Sequence, residues 1–64
     1  MKFKMNQLVK SVKSNAVYRI VNIDHNLYSV EGDNGEVDVG CDDDFVALKN
    51  TDPVYWDWVE KGFK

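Results

Sequence analysis

The chain has one cysteine, one histidine and one proline among 64 residues, and each scarcity closes off a class of function. Cys41 alone forms no intramolecular disulfide, so the fold stands without covalent staples and suits a reducing compartment. A structural zinc site takes about four Cys or His ligands, and Cys41 and His25 are the whole supply. No apolar run approaches the ~18 residues that cross a bilayer. The lysine-bearing N-terminus has no continuous apolar stretch of the kind a signal peptide carries. The expectation is a cytoplasmic protein with no membrane segment and, with Met1 at its start, a complete small open reading frame. A chain this short forms one domain over residues 1–64 and buries only about 60% of its unfolded surface. Even so, 44% hydrophobic residues and eight aromatics suffice for one core, unlike a disordered tail.

Two further absences concern charge. Residues 1–23 hold no acidic side chain but five basic ones: Lys2, Lys4, Lys10, Lys13 and Arg19. Residues 31–44 hold no basic side chain but seven acidic ones: Glu31, Asp33, Glu36, Asp38, Asp42, Asp43 and Asp44. Such polarity steers partners more readily than it builds a reaction centre.

What is present is turn chemistry at short intervals: Ser14-Asn15, Asp24-His25-Asn26, Gly32-Asp33-Asn34-Gly35, Gly40 and Asp42-Asp43-Asp44. Between the turns lie five runs rich in Val, Ile, Tyr and Phe, which read as strands over Gln7–Val12, Val17–Ile23, Leu27–Glu31, Glu36–Cys41 and Phe45–Leu48. The second run is apolar on both faces, so it is central or bends so that its halves pack differently. In the third, Tyr28 and Val30 share a face. In the fourth, Val37, Val39 and Cys41 form an apolar face that is expected to point into the core, with Cys41 as a small buried hydrophobe. Asn34-Gly35 signals a hairpin of type I′ geometry. All connections are short, so the sheet is antiparallel. Asp52 and Pro53 start a C-terminal helix of about 53–61 that Gly62 can close. Val54, Tyr55, Trp58 and Val59 share one face of it, with Trp56 pointing away.

Five short strands with tight turns look like a small SH3-like barrel. The stretch Phe3-Lys4-Met5-Asn6-Gln7-Leu8-Val9-Lys10-Ser11-Val12, then Tyr18-Arg19-Ile20-Val21 and Leu27-Tyr28-Ser29-Val30, resembles the start of Tudor- and KOW-type barrels. There a phenylalanine and a Gly-Asp-x-Val step lead into the first strand; here Asn6-Gln7 stands in place of Gly-Asp. The resemblance covers roughly residues 3–48 and implies a mainly β, antiparallel barrel that binds protein or nucleic acid. It carries over no aromatic cage.

Candidate sites follow from the charges. The acidic residues Glu31, Asp33, Glu36, Asp38, Asp42, Asp43 and Asp44, together with an exposed Trp56, make a surface for a basic protein partner, of which mimicry of a DNA duplex is a sharper form. The bland alternatives are a solvated acidic loop that aids solubility and a Trp56 that lies along the rim of the barrel. The spacing from Asp33 or Asp42 fits no EF-hand register. A Cys41–His25 nucleophilic pair lacks an orienting third group, so no enzymatic activity and no cofactor are expected. The lysine-rich first half with Phe3, Tyr18 and Tyr28 offers a second route, single-stranded nucleic-acid binding, against which stand a net charge of -3 and a pI of about 4.8. A third route is a subunit or assembly factor whose partner covers the tryptophans. The reading is a noncatalytic regulator or inhibitor, for which viruses and mobile elements are one setting. Oligomeric state is left open.

Overall fold

The structure, a computed structural model, describes residues 2–62, with side chains described as far as Glu60. It is mainly β. Five antiparallel strands, β1 (Leu8–Ser11), β2 (Val17–Asp24), β3 (Leu27–Glu31), β4 (Val37–Cys41) and β5 (Phe45–Ala47), form one sheet in the order β4-β3-β2-β1-β5. A 3₁₀ turn, Asp42–Asp44, joins β4 to β5, and helix α1 (Pro53–Gly62) follows.

β2 is both central and bent. It pairs with β1 and β3, and its register with β3 shifts between Ile20 and Asn22. The extra residue of a bulge reverses side-chain parity. Tyr18 and Ile20 therefore point inward before the shift and Ile23 after it, where Ile23 pairs with Tyr28 and packs on the core. That is why an apolar pattern on both faces of β2 still serves one interior. Before the bend, Val17 faces outward beneath the helix.

The inner core is Phe3, Val9, Tyr18, Ile20, Tyr28, Val30 and Phe45, all buried. Phe3 and Tyr28 meet edge to face at 5.3 Å, and the Phe3 backbone N–H donates to the Tyr28 hydroxyl at 3.4 Å. The two ends of the hydrogen-bonded order, β4 and β5, are brought together by packing. A Cβ built on Gly40 of β4 would lie 2.9 Å from Cε2 of Phe45 on β5, so only glycine lets the strands approach this closely. The sheet thus curls into a small barrel closed by side chains and by the 3₁₀ turn.

Two local corrections concern β4. Its alternation is as expected but its orientation is reversed. Val37 and Val39 are 66% and 55% exposed, Cys41 is half-buried and Gly40 is buried. Opposite them, Val30 and Tyr28 of β3 already fill the interior and pair with Asp38 and Gly40, so the inner side of β4 has room for little beyond a hydrogen atom at Gly40. The hairpin also differs from type I′, which requires positive φ at both central residues. Only Gly35 has it, at 87°. Gly35 N–H donates to the Gly32 carbonyl at 3.1 Å and Gly32 N–H to the Glu36 carbonyl at 2.8 Å. The loop is therefore three residues long, with glycine in the left-handed position that such loops require.

Asp52 caps α1, its carboxylate accepting from the Val54 N–H at 3.0 Å. The C-terminal cap expected at Gly62 involves positions outside the described residues. Trp58 and Tyr55 pack on Leu8, Val17 and Leu48 on the outside of the sheet, forming a second, smaller core. Val54 and Val59, expected on that packing face, are exposed. The stripe in contact is only as wide as an i, i+3 pair.

Candidate functional site

The acidic segment of the sequence becomes the β3–β4 hairpin and the 3₁₀ turn, so its carboxylates follow β4 from one end to the other. Asp33 lies in the hairpin loop and Glu36 leads into β4. Asp38 is on the strand, and Asp42 and Asp43 lie in the turn beyond it. β4 has a neighbour on one side only. The charges therefore line the free edge of the sheet, where charged side chains commonly discourage unwanted pairing.

Two of the seven acids are engaged beyond their nearest neighbour in the chain; a third, Asp38, accepts from the adjacent Val39 N–H at 2.8 Å. Glu31 pairs with Arg19 at 3.2 Å, and the same guanidinium donates to Asn6 Oδ1 at 2.9 Å. Asp44 Oδ2 accepts from the Cys41 backbone N–H at 2.9 Å and from the Cys41 thiol at 3.4 Å. The backbone bond first, then the thiol and the charge of Lys13, hold the Asp44 carboxyl below its usual range, opposed by partial desolvation. Cys41 thus helps fix the 3₁₀ turn instead of filling the core. The other five, Asp33, Glu36, Asp38, Asp42 and Asp43, have no ion-pair partner among the described residues.

The basic half does not stay apart. Lys2 Nζ reaches the Asp42 carbonyl at 3.4 Å, and Lys13 acts on Asp44. Two lysines therefore flank the acidic turn, and the dipole suggested by the linear sequence is partly closed. The aromatics offered for base stacking, Phe3, Tyr18 and Tyr28, are core residues. They leave no stacking platform of the expected kind, because a strongly pleated small barrel needs its large side chains inside.

Trp56 is 55% exposed, as its helical phase requires. It is not free to swing, since its indole N–H donates to the Asn50 carbonyl at 2.8 Å and its ring meets Tyr55 edge-on at 5.0 Å. It lies on α1, whereas the carboxylates follow β4. Asp33 joins the two regions, lining with Val54, Asp57 and Trp58 a hollow of about 100 Å³. His25 occupies the two-residue β2–β3 turn at φ 55°, its side chain solvated and 3.7 Å from Asp24. Among the described residues no three His, Cys, Asp or Glu side chains are grouped to hold a metal ion. No helix among them is long and apolar enough to cross a membrane.

Leu27, Val37 and Val39 were not singled out as surface residues by sequence reasoning. They pair across β3 and β4 in the register Leu27–Cys41, Ser29–Val39 and Glu31–Val37, all on the outward face. Leu27 is 50% exposed. The sequence signal for this exposure is the acid beside each valine, Glu36 and Asp38 around Val37 and Asp38 next to Val39. Comparison with protein-family models, with curated proteins and with solved structures finds no match to this chain.

Proposed function

We propose that the chain is a noncatalytic interaction module that binds a basic protein partner through the acidic surface of the β3–β4 hairpin and the 3₁₀ turn. One observation carries this reading. Five carboxylates, Asp33, Glu36, Asp38, Asp42 and Asp43, are strung along one free strand with no ion-pair partner among the described residues. Like charges held this close repel, and an incoming positive surface relieves that repulsion while gaining steered association. The resemblance to Tudor- and KOW-type barrels points to binding over chemistry. Asn6, which departs from the glycine of that pattern, takes a left-handed φ of 68°, a conformation glycine adopts most easily. A regulator or inhibitor working in the cytoplasm fits a small unstapled domain with an acidic face.

Nucleic-acid binding by the basic half is the rival. It is tested beside the main reading by comparing polylysine and a single-stranded oligonucleotide as ligands of the whole chain at low salt. The acidic reading expects binding of polylysine that weakens in a variant with Asp42→Asn and Asp43→Asn. Binding of the oligonucleotide, lost with Lys10→Gln and Lys13→Gln, would replace it with the rival.

A further inference from the structure

We infer that the partner docks on the outward face of the β3–β4 hairpin, not on the free edge of β4, and that its docking segment has a short apolar centre with lysine or arginine at both ends. This rests on the acidic-surface reading above and adds to it the floor of the site and the mode of contact.

The face has an apolar floor and an acidic rim. Leu27, Val37 and Val39 share it, all half or more exposed. At one end of the floor stand Glu31 and Glu36. At the other stand Asp24, paired in register with Leu27, and Asp42 and Asp43 in the turn after Cys41. From Val37 to Cys41 the strand advances roughly 13 Å, about the reach of four extended residues. Exposed apolar side chains rimmed mainly by carboxylates, with Arg19 on Glu31 and Lys2 and Lys13 near the turn as the exceptions, mark a contact surface more than a scattered exposed leucine does. The complement of this pattern is apolar in the middle and positive at the ends.

The edge is less available than the face. Gly32 and Glu36 bond across the hairpin. By the alternation of an antiparallel ladder, Asp38 and Gly40 then turn their backbone groups toward β3, while Val37, Val39 and Cys41 turn theirs to the open side. Two of those three outward N–H groups are already taken. Val39 donates to Asp38 Oδ1 at 2.8 Å, and Cys41 donates to Asp44 Oδ2 at 2.9 Å. A strand adding to this edge would have to displace both carboxylates.

A second copy of the chain is also disfavoured. Two-fold antiparallel pairing of β4 about Val39 sets Glu36 opposite Asp42 of the other copy, twice. Like charges directly opposite destabilise such a pair. Charge therefore selects a different protein, one carrying positive side chains.

The test titrates the isotope-labelled chain with three synthetic peptides: lysines flanking a valine-threonine centre, lysines flanking a serine-glycine centre, and glutamates flanking the valine-threonine centre. Methyl shifts and amide exchange are read by NMR. The first peptide should bind and shift the methyl groups of Leu27, Val37 and Val39. The second should bind roughly tenfold more weakly and the third should not bind. A Val37→Ser, Val39→Ser variant, and separately Leu27→Ser, should lose affinity for the first peptide to a similar extent while keeping the amide spectrum of the folded chain. New exchange protection at the Val37 and Val39 amides would mean strand addition and overturn face docking. Unchanged affinity in the serine variants, with loss in Asp42→Asn, Asp43→Asn, would also overturn it and leave the acidic-surface reading standing. Failure of both lysine peptides to bind at any salt concentration would remove both.

Discussion

A Cβ at Gly40 would lie 2.8 Å from Asp44 Oδ2 and 2.9 Å from the ring of buried Phe45. Neither neighbour yields easily, since the carboxylate is held by Cys41 and the ring is part of the core. Gly40→Ala should therefore destabilise by about 1–3 kcal/mol in a denaturant melt, and a neutral result would mean that β4 and β5 do not pack as described. Trp58 and Trp56 divide along the same lines of burial. Trp58→Ala should cost about 3–5 kcal/mol. Trp56→Ala should cost about 1 kcal/mol, mainly from its lost hydrogen bond to Asn50. Equal large losses would contradict the packing of α1. For Asp44 the sign is fixed by its depressed carboxyl. A group whose pKa is lower in the folded state contributes fully above its unfolded value, about 4, and loses that contribution as pH falls through the folded value. Stability should decline on acidification in that window. Asp44→Ala should be less stable at neutral pH and should lose part of the acid slope, which a urea melt at several pH values reads directly.

At the scale of elements, β2 lies between β1 and β3 and supplies the buried Tyr18 and Ile20 before its bulge and the partly buried Ile23 after it. Its amides should exchange most slowly of the five strands. An exchange map with β4 or β5 slower than β2 would contradict the topology. The strands were legible in the sequence because period-2 alternation and Asn, Asp and Gly turns are local signals. Leu27–Glu31 needed no adjustment, and the other four strands shifted by one residue at one or both ends. Which side of β4 faces inward was not legible. Alternation gives a period, not a direction, and the deciding fact is long-range: Tyr28, Val30 and Phe45 occupy the interior that Val37 and Val39 would have entered. The same limit hid the helix contact, where Val54 and Val59 stay outside because the sheet presents a stripe wide enough only for Tyr55 and Trp58. The consequence is measurable. Replacing Val37 and Val39 with serine should change stability by less than about 0.5 kcal/mol per site, whereas core valines would cost far more.

At the scale of the molecule, the radius of gyration is 10.7 Å, the value expected for one compact domain of this length, about 10.7 Å. Helix and sheet therefore form one body with two small cores. The charge polarity that dominates the sequence survives in part. Five carboxylates remain along β4, while Glu31 and Asp44 are engaged within the fold and Lys2 and Lys13 come round to the acidic turn. Of the proposed contact surface, the charges were legible in the sequence; the apolar floor among them required the register of β3 and β4. Binding through the acidic surface is read most directly from the salt dependence of association between the chain and a protein it captures from its native host. The comparison is among the wild type, an Asp42→Asn, Asp43→Asn variant, and a Lys10→Gln, Lys13→Gln variant. Association should slow and its salt dependence should flatten in the first variant, with little change in the second. Loss of binding in the lysine variant alone, with the asparagine variant behaving as wild type, would contradict it.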